Sequence, residues 1–141
     1  MDQVVVDANV VVKLFVEEDY SKNARDLRNS YIEGSIQISV PSLLYYEVMN
    51  AILFTRKLSL EGIELALRSI AEYDFIIINP DHNLNIKIIR LAKKYNISVY
   101  DATYVGLALA TNSILYTSDA KLIKSVDLPN VKHIKEFKSN A

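Results

Sequence analysis

The sequence predicts an α/β domain whose mainly parallel sheet is covered on both faces. Short runs of ~4–5 apolar residues alternate with longer helix-like segments, the pattern of strands buried on both sides. Only three glycines and three prolines punctuate 141 residues, so the connections between elements are short. Half the residues are hydrophobic, enough to bury a substantial core in a chain of ordinary single-domain length. No repeat, low-complexity tract or linker divides it, so residues 1–141 are expected to form one domain.

In chain order, Val4 to Val6 predicts a short buried strand and Ala8 to Val16 the helix that leaves it. Ser21 to Glu33 predicts a second helix, stopped by Gly34. Ile36 to Val40 is strand-like and ends at Pro41. Ser42 can cap a long helix through about Lys57, and Ser59 with Gly62 starts another, to about Tyr73. Phe75 to Ile78 predicts a strand closed by Asn79-Pro80. Asp81 or Asn83 can cap a helix reaching Tyr95, and Ser98 one from Val99 to Thr111. Ile114 to Thr117 predicts a strand, Ala120 to Val126 a short helix and Val131 to Ile134 a last strand. A frayed tail is expected after about Phe137.

Composition removes several function classes. A formal net charge of -1 argues against a chain coated in basic surface, although an acidic pocket can cancel a basic rim in the total. The absence of cysteine excludes disulfides, thiolate zinc sites and cysteine nucleophiles, and suits a cytoplasmic protein. No signal-type stretch and no run near the ~20 apolar residues of a membrane span is present. With His82 and His133 the only histidines and no Gly-x-Ser-x-Gly turn, a serine–histidine hydrolase is disfavoured. No P-loop or Gly-x-Gly-x-x-Gly run supports ordinary nucleotide binding.

Four carboxylates remain: Asp7, Glu47, Asp101 and Asp119. Asp7 and Asp119 follow apolar strands and open helices, where sites form beyond the carboxyl ends of a parallel sheet. Each also has a purely structural reading as a helix N-cap worth ~1 kcal/mol. Asp101 lies three residues after Ser98, at capping-box spacing, in a strongly apolar helix. Near the positive end of that helix dipole, its charged form is expected to be favoured. Glu47 resists a local account. It shares a helical face with Leu43, Asn50, Ala51 and Phe54, and no basic residue stands three or four positions away. It must snorkel out, meet a metal, or find a distant basic partner.

Ionised carboxylates directed at one pocket repel unless a divalent cation neutralises them. Oxygen-only ligands select the hard cations Mg²⁺ or Mn²⁺, with substrate phosphate completing the shell. Two such ions ~3.5–4 Å apart can serve both the attacking and leaving oxygens of a phosphodiester, so one ion or two is open. Hydrolysis of a nucleic-acid backbone fits that chemistry.

At these residues the chain resembles the PIN-domain ribonucleases, and within them the VapC-type toxins. Val4-Val5-Val6-Asp7-Ala8-Asn9-Val10 is similar to their opening strand and first acid, and Pro41-Ser42-Leu43-Leu44-Tyr45-Tyr46-Glu47-Val48-Met49-Asn50-Ala51 to their Glu-bearing helix. Tyr100-Asp101-Ala102-Thr103-Tyr104-Val105-Gly106-Leu107-Ala108 and Leu115-Tyr116-Thr117-Ser118-Asp119-Ala120-Lys121-Leu122 resemble the third and fourth motifs. Order and spacing agree over roughly residues 3 to 134. The resemblance implies a PIN-like three-layer α/β/α fold with about five mainly parallel strands. It implies an acidic quartet, Asp7, Glu47, Asp101 and Asp119, that holds Mg²⁺ or Mn²⁺ and hydrolyses RNA with metal-activated water. Asn9 and Thr117 match polar positions that support the ligands or the water, with Ser118 an unresolved competitor to Thr117. It further implies a homodimer and a VapB-type antitoxin that covers the site.

Other features have plainer accounts. Asp81 reads as a cap. Asp2, Asp74 and Asp127 read as surface charges. Tyr45, Tyr46 and Tyr104 can stack on RNA bases, but each lies in an apolar helix, where core or dimer contacts are the better account. Among the basic groups, Arg56-Lys57 is the first choice to border a substrate groove. A receiver-like signalling domain is a rival, yet it needs adjacent acids after the first strand, where Asp7 stands without an acidic neighbour. A catalytically inactive PIN fold that binds protein or RNA is the other alternative.

Overall fold

The computed structural model describes residues 2–139. Among them, five strands and seven α-helices alternate as β1 (Asp2–Val6), α1 (Ala8–Val12), α2 (Ser21–Ile32), β2 (Ile36–Val40), α3 (Leu43–Phe54) and α4 (Leu60–Tyr73), then β3 (Ile76–Ile77), α5 (His82–Tyr95), α6 (Val99–Ala110), β4 (Ile114–Thr117), α7 (Ala120–Val126) and β5 (Val131–His133). A 3₁₀ turn, Ile134–Glu136, follows. Every strand pair is parallel, in the order β3-β2-β1-β4-β5, so the expected three-layer α/β/α arrangement holds.

The order explains where a site can form. The chain builds outward from β1 through β2 to β3, then crosses back to lay β4 on the other side of β1. Connections leaving β1 and β4 therefore diverge, opening a crevice at the carboxyl ends of the two strands. Their register pairs Val6 with Tyr116, and the Asp7 amide donates to the Tyr116 carbonyl at 3.1 Å. Val5, Ile38 and Leu115 on the central strands are fully buried. Helix α1 packs on α2 and α3, while α6 packs on β1, β4 and α5. At Gly106, a Cβ would meet Ile88 Cγ1 at 3.0 Å, so glycine sets how closely α5 approaches α6.

Several expected boundaries shift. Helix α1 ends at Val12 rather than Val16. Three consecutive β-branched valines disfavour a longer α-helix, and the amides of Lys13, Leu14 and Phe15 bond carbonyls three residues back, as in a 3₁₀ turn. Helix α3 stops at Phe54, not near Lys57. The Thr55 hydroxyl donates to the Ile52 carbonyl and accepts from the Lys57 amide, and Arg56 turns left-handed at φ 57°. Ser42 does not cap α3: its backbone is already helical, and its amide donates to Asn79 Oδ1 at 2.9 Å. Strand β3 keeps only two of four expected residues because it lies at the sheet edge, paired on one side alone. Ser59, Asp81 and Ser98 cap as expected, accepting from Gly62, Leu84 and Asp101 amides.

Part of the tail expected to fray, Asn140 and Ala141, lies outside the described residues, as does Met1. No helix among the described residues is long and apolar enough to cross a membrane.

Candidate active site

All four acids line one open cleft of about 430 Å³ at the carboxyl edge of β1 and β4. Asp7 enters from the end of β1, Glu47 from the middle of α3, Asp101 from the first turn of α6 and Asp119 from the start of α7. Four segments far apart in sequence thus supply one pocket, and the sheet's reversal of direction brings them together.

Asp7 occupies the N-cap position of α1 but makes no capping bond, which removes its purely structural reading. Instead, its Oδ2 accepts from Thr117 Oγ1 at 2.9 Å and from Asn9 Nδ2 at 3.2 Å. Asn9 Nδ2 also donates to Thr117 Oγ1 at 3.1 Å, and Asn9 Oδ1 accepts the Ser118 amide at 3.0 Å. Thr117 Oγ1 accepts a further bond from the Asp119 amide at 3.1 Å. Thr117, fully buried, is therefore the hydroxyl that fixes Asp7, while Ser118 contributes its backbone. Asn9 and Thr117 together lock the first acid to the turn that carries the fourth.

Burial pushes the Asp7 carboxyl up from 3.8 to about 7. The Thr117 hydrogen bond opposes the shift, and the charges of Asp101 and Glu47 add to it. Asp101 is also raised, first by burial and then by Asp119, against the Ser98 hydrogen bond. Here the expectation of a dipole-favoured charge is reversed: a helix N-terminus contributes only ~0.3–1 kcal/mol, less than partial desolvation beside another acid. Nor is there a capping box, because among the described residues only the Ser98-to-Asp101 half of it forms.

Glu47 has found neither of the expected basic or purely exposed solutions. Tyr104, buried on α6, donates its hydroxyl to Glu47 Oε1 at 2.6 Å. Burial first, then the Glu47 hydrogen bond and the surrounding negative charges, pushes the phenol upward, so it stays a donor. Tyr104 was legible only as an apolar-helix tyrosine; its position one turn beyond Asp101, on the same face, was the available signal. Replacing it with Phe is expected to keep the packing while freeing Glu47, weakening Mn²⁺ binding roughly 10–100-fold, by analogy with loss of an outer-shell hydrogen bond. Titration calorimetry with Mn²⁺ alone measures that change; an unaltered affinity would reject a positioning role.

Asp119 serves both of its readings. It caps α7 with Oδ1, accepting from the Lys121 and Leu122 amides at 3.0 and 3.1 Å, while lining the cleft. A fifth acid, Glu18, also lines the cleft and pairs with the buried Lys13 at 3.0 Å. It sits in a loop with no periodic pattern, and nothing in the sequence singled it out. Thr55 reaches the cleft, whereas neither Arg56 nor Lys57 is among its lining residues.

The donor set is all oxygen, which suits Mg²⁺ or Mn²⁺. Among the described residues, no three acidic or histidine side chains are drawn close enough to hold an ion as they stand. Mg²⁺ commonly keeps several waters and uses only one or two protein carboxylates, so a loose set remains compatible with it. The charged form of Asp7 is disfavoured by burial and by the charges of Asp101 and Glu47.

The family model of the PIN domain matches residues 4–128. No curated protein matches the chain. Among solved structures, the chain is similar to PAE2754 from Pyrobaculum aerophilum, with 19% identity, a TM-score of 0.68, and coverage of 95% of this chain and 92% of that one. It is also similar to a chain of a toxin–antitoxin complex from Klebsiella pneumoniae, at 20% identity and a TM-score of 0.68, covering 95% and 99%. A chain of VapBC2 from Rickettsia felis, bound to a DNA fragment from their promoter, gives 18% identity and a TM-score of 0.69 over 93% and 98%. At these identities the likeness is one of fold.

Proposed function

The chain belongs to the PIN domain family, and on that premise we propose that it is a Mg²⁺- or Mn²⁺-dependent endoribonuclease, the VapC-type toxin of a type II toxin–antitoxin pair. The observation that carries this reading is Asp7: buried, raised to about 7, and facing an open cleft with three further candidate ligands. Burial and the neighbouring acids disfavour its carboxylate form, and that is the form a divalent cation in the cleft would stabilise. When bound, the cation would neutralise charge developing on the phosphodiester and acidify the attacking water.

The protein's own residues orient and polarise. Thr117 and Asn9 fix one oxygen of Asp7. The α7 amides fix one oxygen of Asp119, and Tyr104 fixes one of Glu47. Each anchored acid keeps a second oxygen for the cation. Water's oxygen forms the new P–O bond as the ribose oxygen leaves and takes up a proton. The Klebsiella chain belongs to a toxin–antitoxin complex and the Rickettsia chain to VapBC2, which supports a VapB-type antitoxin as partner. The reading extends to a cytoplasmic homodimer with the whole chain as one nuclease domain.

The test is cleavage of labelled single-stranded RNA, beside DNA of the same sequence, with Mg²⁺, Mn²⁺ or EDTA. Internal cuts in RNA that EDTA abolishes and excess Mn²⁺ restores are expected. RNA retained but uncut with either cation would instead favour a PIN-fold binding module, and EDTA-insensitive cleavage would overturn the metal.

A further inference from the structure

Beside the acidic cleft lies a second, shallower hollow of about 240 Å³, lined by Leu43, Tyr46, Glu47, Asn50 and Tyr100. Two tyrosines flank it that are 68% and 61% exposed, Tyr46 and Tyr100. Large aromatic side chains left this open forgo the burial that usually justifies them. The aromatic contacts found among the described residues involve Tyr20, Tyr31, Tyr73, Tyr116, Phe75, Phe137 and His133, leaving both of these rings out. Of the core or dimer contacts expected for Tyr46, its exposure removes the core one, whereas Tyr104 is core.

The geometry points to a nucleobase subsite in this hollow, an inference that rests on the ribonuclease reading above. Leu43, Tyr46, Glu47 and Asn50 follow at helical spacing on α3, so they present one surface. Tyr100 joins them from α6, one residue before Asp101. Glu47 lines both the hollow and the cleft. A base held between the tyrosines accordingly lies within one nucleotide of the phosphate the acids would face.

The chemistry matches single-stranded RNA. Unstacked bases pack on aromatic rings whatever their identity, which gives affinity with little sequence demand. Asn50 adds an amide that offers both a donor and an acceptor to a base edge, which gives discrimination. Two exposed rings and one amide beside the acidic cleft offer the stacking surface and the edge contact that a planar base uses.

Steady-state cleavage tests this with Tyr46→Leu, Tyr100→Leu, the double variant, and Phe at both positions. Each substrate is used intact and with an abasic nucleotide beside the cut. The Leu variants are expected to raise KM, roughly 10–100-fold for the double change, from the usual worth of base–aromatic stacking. Their kcat should change little, because uniform binding is what is lost. Phe should preserve wild-type KM. Removing the base should damage wild-type cleavage but leave the double variant nearly indifferent.

Wild-type protein that cleaves no RNA removes the ribonuclease reading and the subsite with it. Wild-type cleavage with unchanged KM in the Leu variants overturns the subsite alone. Leu variants that keep their KM but change molecular mass in solution assign the hollow to a protein contact instead, and equally overturn it.

Discussion

Asp7→Asn should slow Mn²⁺-dependent RNA cleavage by ~10²–10³-fold, the equivalent of ~3–4 kcal/mol of lost charge stabilisation at a metal-assisted transition state. The substitution keeps size and polarity. An asparagine oxygen at this position can still accept from Thr117 Oγ1 and Asn9 Nδ2, the two groups that hold Asp7 now. What disappears is the negative charge and the ligand oxygen. Single-turnover cleavage at saturating Mn²⁺ measures the effect, and far-ultraviolet circular dichroism shows whether the fold is kept. Full activity in the variant would sink the assignment of Asp7.

The same substitution should stabilise the metal-free protein above neutral pH. Below pH 3.8 Asp7 is protonated in folded and unfolded chains alike, and its burial as an acid carries no charge penalty. Between 3.8 and about 7 the unfolded chain releases the proton while the folded chain keeps it, so stability falls as pH rises. Above about 7 the penalty is complete, at most ~4 kcal/mol by linkage. Urea unfolding in EDTA at pH 5 and pH 8 should therefore show a pH-dependent loss in the wild type that is largely absent from Asp7→Asn. Adding Mn²⁺ at pH 8 should restore the wild type, by ~2.7 kcal/mol at a hundred times the dissociation constant. A variant with the wild-type pH slope would show that the cleft stores no such charge. Loss of that slope in Asp7→Asn instead identifies a site where stability is given up for cation binding.

The elements most legible in the sequence were those with strong local signals. Strands Ile36–Val40 and Ile114–Thr117 fall at their expected limits, as does helix Ala120–Val126. Apolar runs bounded by Pro41 and by Asp119 left little freedom there. The errors cluster where tertiary context decides. Ser42 makes no cap because its backbone is already helical, in a turn tied by its amide to Asn79, 37 residues away. Strand β3 shrank because no neighbour lies on its outer side.

Among the candidate site residues, the four acids were nameable because Asp7 and Asp119 close apolar strands and Glu47 and Asp101 interrupt apolar helices. Their supporting contacts were not. Tyr104 touching Glu47 spans two helices that periodicity cannot orient relative to each other. The direction of the Asp101 shift depends first on its burial and then on the nearby Asp119, which no local rule contains. Thr117 and Ser118 differ only in which way a strand-end side chain faces, and that follows from β4 pairing with β1.

The Asp7–Thr117 hydrogen bond closes a loop 110 residues long in the chain. During synthesis, β1 leaves the ribosome well before β4, by roughly 5–20 s at ~5–20 residues per second. Until β4 arrives, β1 lacks one of its two sheet neighbours, and Asp7 has neither Thr117 nor Asp119 beside it. A nascent chain carrying only the first two acids has no assembled cleft. The cleft therefore assembles late and as a unit, when the last third of the polypeptide docks.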